Sequence, residues 1–213
     1  MPDPPPRLIL FSRLPLAGRA KTRLAPALGA EGAARLQDRV ARRLAGRMEG
    51  LAERLPLELE LCYTGGKREQ AQAWLGPGFT CREQGSGHLG ARMTRALERT
   101  LDQGAPKVVL VGSDLPGLDQ AILEEAFQAL ERSPLVLGPS LDGGYYLVGQ
   151  GRPAPGLLEA PHWRGLAALS ARAKALGLKP ALLPPLRDLD TPDDLAYWRE
   201  NDPQVRSWTD PAS

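Results

Sequence analysis

The side chains able to do chemistry gather in four stretches. Residues 107–116, KVVLVGSDLP, place Asp114 just after an apolar run and a small Gly112-Ser113 step. A carboxylate at the end of a buried strand, where backbone and ligand can come close, suits a divalent cation. The simpler reading is that Asp114 opens a turn before Pro116. Residues 12–26, SRLPLAGRAKTRLAP, set Arg13, Arg19, Lys21 and Arg23 around Gly18. Guanidinium groups grip phosphate oxygens in pairs, lysine adds a compact charge, and loop N–H groups are further donors. The implied ligand is a pyrophosphate; the alternative is a solvated basic loop. A Walker A motif is excluded, because Ala20 and Pro15 stand where it needs glycines.

Two further stretches add to this set. Gly85, Gly87 and Gly90 let a phosphate or sugar approach the backbone near His88 and Arg92. His88 on its own reads better as a structural hydrogen-bonder than as a catalyst. Asp142-Gly143-Gly144 is either a plain turn or a carboxylate beside backbone on which a flat ligand can lie. In the second case Asp142 is a candidate base for an acceptor hydroxyl. Within residues 187–194, Thr191, Pro192, Asp193 and Asp194 read as a helix start, which leaves Asp188 and Asp190 without a structural role. Asp190 is the preferred second metal ligand. Asp114 with Asp190, or with Asp142, would offer hard oxygen donors to Mg²⁺ or Mn²⁺.

Those residues need a scaffold, and hydrophobic patterning supplies one. Strands are expected at 8–11, 57–64, 79–84, 108–111, 135–137, 145–148 and 181–183, and helices at 31–55, 67–75, 89–101, 119–131, 166–176 and 190–201. In the second strand Glu58, Glu60 and Cys62 alternate against apolar residues. Residues 150–165, rich in glycine and proline, read as a mobile loop. Alternating strands and helices give an α/β fold with a mainly parallel sheet and helices on both faces. The 213 residues make a single domain over 1–213, with flexible ends at 1–6 and about 203–213. Cys62 and Cys81 lack metal-type spacing and are expected as free thiols. A net charge of +2 speaks against a nucleic-acid partner. No apolar run reaches the roughly eighteen residues of a membrane span, and no signal peptide is evident, so a soluble cytoplasmic protein is expected.

FSRLPLAGRAKTRL, VGSDLPGL, GPSLDGGYYLVG and DLDTPDDL follow one another in this order. Together they resemble the bacterial GT-A-fold transferases found with radical-SAM genes and often labelled glycosyltransferases. More distantly the chain is similar to 2-phospholactate guanylyltransferase and the molybdenum-cofactor nucleotidyltransferases. The resemblance implies a nucleotide-diphospho-sugar transferase fold, with Arg13, Lys21 and Arg23 facing nucleotide phosphates and Asp114 at the metal position. The chain departs from glycosyltransferases in having Ser113-Asp114-Leu115 in place of D-x-D, and from nucleotidyltransferases in lacking G-x-G-x-R-[ML]. The expected function is a metal-dependent glycosyltransferase taking a nucleotide-activated sugar and a small-molecule acceptor. The alternatives are a nucleotidyltransferase that joins a nucleoside triphosphate to a phosphorylated acceptor and releases pyrophosphate, and a silent nucleotide-binding module. A homodimer remains one option.

Overall fold

A computed structural model describes residues 4–161 and 163–210. Strands β1 (Arg7–Arg13), β2 (Glu58–Thr64), β3 (Thr80–Glu83), β4 (Val108–Gly112), β5 (Leu135–Pro139), β6 (Tyr145–Gln150) and β7 (Ala181–Leu182) form one sheet. Their order is β3-β2-β1-β4-β6-β5-β7. Only β6 runs against the rest, pairing antiparallel with both β4 and β5. The cause is local. Parallel neighbours need a crossover of a dozen or more residues, whereas residues 140–144 are a tight turn. In that turn Gly143, at φ 88°, donates to Ser140 O at 3.1 Å.

Among the described residues, seven α-helices accompany the sheet: α1 (Ala25–Ala52), α2 (Arg68–Leu75), α3 (Leu89–Asp102), α4 (Gln120–Ala129), α5 (Leu166–Ala175), α6 (Pro192–Asn201) and α7 (Pro203–Thr209). One face of the sheet buries Leu10, Leu61 and Val111 with Leu44, Met48 and Leu51 of α1 and Leu123 and Phe127 of α4. The other buries Ile9, Cys62, Leu110 and Leu137 with Met93 and Leu97 of α3 and Leu169 of α5. A third cluster joins Leu36 and Val40 of α1 to Leu189, Leu195 and Val205. Helix α1 starts earlier than periodicity suggests, and Gly29 breaks its first turns with φ 70° and ψ 164°.

Three expectations are corrected. Within the expected mobile loop 150–165, residues 151–161 are irregular but seated: Leu157 and Leu158 are buried in the second core cluster, and Arg172 Nε donates to Gly156 O at 2.9 Å. Residues 203–209 are not a loose end. Asp202 caps α7 by accepting from Gln204 N at 2.9 Å, Arg43 holds its other oxygen at 2.5 Å, and Val205 is fully buried. Of the expected flexible ends, residues 1–3 and 211–213 lie outside the described residues, and Pro6 O already accepts from Glu58 N at 3.0 Å. Glu60, expected on a polar face, is 0% exposed, because α3 covers that side of β2. Arg99 of α3 meets its two oxygens at 3.0 and 2.5 Å.

Cys62 and Cys81 are both free; Cys62 joins one core layer, and Cys81 packs against the other. Among the described residues, no helix is long and apolar enough to cross a membrane.

Candidate active site

Strands β1 and β4 lie side by side with Phe11 opposite Gly112, so the loops that follow them open together. Beneath those loops, Ser12 Oγ donates to Ser113 Oγ at 2.9 Å, and Gln37 Nε2 donates to Ser113 Oγ at 2.8 Å. Above this buried network the opening loop folds back and delivers Lys21. Its backbone sits in the left-handed region at φ 45°, the one non-glycine residue to do so among those described. That conformation costs roughly 1–3 kcal/mol and persists only where surroundings enforce it. Here Lys21 Nζ donates to Asp114 Oδ1 and to Leu189 O, each at 2.5 Å. The Lys21 side chain is only 2% exposed, while Asp114 remains 43% exposed. Lys21 thus ties together the opening loop, the end of β4 and the approach to α6. An ammonium has three N–H groups, so one is left for a ligand.

Around this tie lies a hollow of about 760 Å³, lined by Arg13, Gly18, Arg19, Lys21, Arg23, Arg92, Asp114 and Asp190. Arg23 pairs with Asp190 at 2.9 Å, and Arg92 donates to the buried Gln84 Oε1 at 2.6 Å. Burial, then the charge of Arg13, pulls the Arg92 pKa down. The Arg92 Nε is buried and has no hydrogen-bond partner. Among the described residues, Arg13, Arg19 and Arg92 have no carboxylate partner. Three unneutralised guanidinium groups in one hollow call for an anion.

A second hollow, of about 660 Å³, meets the first at Phe11, Arg23, Leu89 and Asp114, and carries Asp142, Gly144 and Trp163. A smaller recess of about 180 Å³ adds Asp188 beside Asp114 and Asp190. Burial first, then the Asp142 charge, raises the Asp188 pKa to about 7; Ser140, donating at 3.2 Å, opposes the shift. Four aspartates therefore converge where the cavities join.

Arg13, Gly18, Lys21, Arg23, Asp114 and Asp190 come together as the sequence suggests, with the difference that Lys21 and Arg23 hold Asp114 and Asp190. Asp142 lines the second hollow, and its Oδ1 accepts from Gly144 N at 2.8 Å. Gly143 shapes the turn and lines neither large hollow. Gly87 likewise lines neither; at φ 101° it leads the chain into α3. His88 caps α3, its Nδ1 accepting from Ala91 N at 3.2 Å. Thr191 and Asp194 form the capping box that opens α6. Ser12, Gln37 and Gln84 escaped sequence reasoning, and Asp188 was singled out but passed over in favour of Asp190. For Gln37 there was a signal: a polar residue on the apolar stripe that runs from Ala33 to Val40.

A family model with the description "Uncharacterized protein conserved in bacteria (DUF2064)" matches residues 47–164. The chain belongs to this family. No curated protein matches it. Among solved structures, a DUF2064 counterpart in shape is the "putative nucleotide-diphospho-sugar transferase" from Desulfovibrio desulfuricans G20. It is 29% identical over 95% of this chain and 97% of its own, with a TM-score of 0.80. The 4-diphosphocytidyl-2C-methyl-D-erythritol synthase of Anaerococcus prevotii DSM 20548 shares the fold at 11% identity, covering 91% and 95% of the two chains, with a TM-score of 0.60. CMP:2-keto-3-deoxy-manno-octonic acid synthetase, complexed with CTP, does so at 13% identity, 94% and 99% coverage and a TM-score of 0.55. The DUF2064 chain has the nucleotide-diphospho-sugar transferase type of fold.

The DUF2064 side chains can be tested as ligands of a divalent metal. Among the described residues, no group of three or more His, Cys, Asp and Glu is arranged as a metal cage. The available donors are carboxylate oxygens, and Asp114 keeps an exposed side chain beside the basic hollow. Such a set fits Mg²⁺ or Mn²⁺ shared between one or two carboxylates and substrate phosphates.

Proposed function

We propose that this transferase moves a sugar from a nucleoside diphosphate to a hydroxyl acceptor. The observation that carries the reading is the meeting, at Asp114, of a hollow with surplus positive charge and a second hollow that bears Asp142. Arg13, Arg19, Arg92 and the remaining Lys21 N–H would hold the diphosphate oxygens. Charge then develops on the departing nucleoside diphosphate where donors already point, so little reorganisation is needed. Asp142 would take the proton of the attacking hydroxyl, and fixed geometry would supply much of the remaining rate gain. Asp114, with Asp190 or Asp142, would hold a Mg²⁺ or Mn²⁺ ion, which when bound neutralises charge on the leaving phosphate. The structural relative at 29% identity supports this reading.

One observation favours nucleotidyl transfer as the second reading. Five cations, Arg13, Arg19, Lys21, Arg23 and Arg92, line the first hollow, enough for a triphosphate. Products separate the two: free nucleoside diphosphate for the first, pyrophosphate for the second. Incubating the chain with nucleotide sugars and with nucleoside triphosphates, and assaying both products, tests the pair. Absence of both products across the panel would leave only the silent binding module.

Two binding results are expected. Chelation by EDTA should weaken nucleotide binding by about tenfold or more, the equivalent of roughly 1.4 kcal/mol; unchanged affinity in titration calorimetry would remove the metal from the account. Arg13→Ala should raise the nucleotide Kd by about tenfold with little change in melting temperature, because a charge-assisted phosphate contact is lost while the Arg13 side chain, which lies against Gly65, makes no hydrogen bond or ion pair within the described residues.

A further inference from the structure

We infer that the second hollow takes an uncharged alcohol with an apolar body, alkyl or aryl, and that this alcohol is the acceptor. The acceptor role rests on the transfer reading above; the binding does not. Leu89, Met93, Leu110, Tyr145 and Trp163 line this hollow, together with the charged Arg23, Asp114, Asp142 and Arg164. Its two phenol hydroxyls are already engaged: Tyr145 donates to Trp163 O at 2.9 Å, and Tyr146 to Pro184 O at 3.0 Å. Burial pushes both phenols upward in pKa, so neither supplies a phenolate. The charged side chains can serve one or two hydroxyls, but the further hydroxyls of a polyol would lie against the apolar walls without partners, which is costly. An apolar body instead covers walls of its own kind.

Two details sharpen the fit. Leu89 stands 36% exposed at the junction of the two hollows, an apolar surface that core packing does not account for. Trp163 is held flat, stacked on His88 at 5.8 Å and 7°, with the Arg164 guanidinium 5.4 Å from its ring centroid. Arg23 and Arg164 line the hollow as well as Asp114 and Asp142, so its charges balance and suit a neutral acceptor, whose hydroxyl either carboxylate can accept from. In the step itself the alcohol oxygen bonds to the anomeric carbon and its proton passes to Asp142. The bond from that carbon to the phosphate oxygen breaks, and the nucleoside diphosphate leaves with the electron pair.

Titration calorimetry on the full chain, with 2-phenylethanol and glycerol as probes and UDP with Mn²⁺ as a separate ligand, tests this. 2-Phenylethanol should bind at least about tenfold tighter than glycerol, Trp163→Gln should weaken it by about tenfold, and Trp163→Phe should restore most of the loss. Melting curves of both variants should match the parent and certify folding. Equal binding of the two alcohols, no binding of 2-phenylethanol, or indifference to Trp163→Gln in a folded variant would overturn the inference. If 2-phenylethanol binds as expected while no nucleotide is bound or consumed, the transfer reading falls and the ligand class of the hollow stands. Transfer to hydrophilic alcohols alone does the reverse.

Discussion

Lys21→Met should reduce turnover by about 10²–10³-fold, the usual cost of removing one preorganised donor from a site where negative charge develops. It should also lower the melting temperature, because the buried ammonium ties Asp114 and Leu189 O to the opening loop. The expected loss is about 1–2 kcal/mol, below the range for a fully buried pair because Asp114 is 43% exposed and water screens it. In a chain of 213 residues that is a fall of roughly 5 °C by calorimetry. The double variant Lys21→Met/Asp114→Asn should recover part of the stability and none of the turnover. Full activity in Lys21→Met would separate this residue from the chemistry and leave it a purely structural strap.

Glu60→Ala should have the largest effect on stability, with none on the chemistry. Glu60 is 0% exposed and meets Arg99 at 2.5 Å, with Arg7 at 3.6 Å and Arg82 at 3.8 Å. Removing one partner of a buried ion pair costs about 3–5 kcal/mol, because the remaining charge stays partly desolvated. The melting temperature should fall by roughly 10 °C, while turnover measured well below the transition stays at the parent value. Replacing the pair together, Glu60→Met with Arg99→Leu, should give most of the stability back. A fall of only a degree or two in Glu60→Ala would mean that water reaches the cluster.

Strands β1, β4, β5 and β6 were legible because each carries a short apolar run bounded by glycine, proline or charge. The alternation in β2 misled for a physical reason. In a sheet covered on both faces, a polar residue on the alternate side is buried too, and only the arrival of Arg99 from α3 makes Glu60 tolerable there. Helix α7 carried a readable start, Asp202 followed by Pro203, which its shortness disguised. The basic loop and Asp114 could be found from residue type and position alone. Their mutual neutralisation could not, since the contact joins residues 93 positions apart. Asp188 was harder still: its raised pKa comes first from burial and then from Asp142 and Asp114 arriving from other segments.

Leu189 has three attachments, the first its N–H donating to Asp114 O at 2.8 Å. Its carbonyl receives Lys21, and its side chain sits fully buried with Leu195 and Val205, the latter from the terminal helix. A chain clipped before Pro203 would lose that plug, and Leu189 would drift with the lysine it anchors. Proteolysis or a bulky tag at the carboxyl terminus would then register at the far end of the tether, as slackness in the phosphate grip.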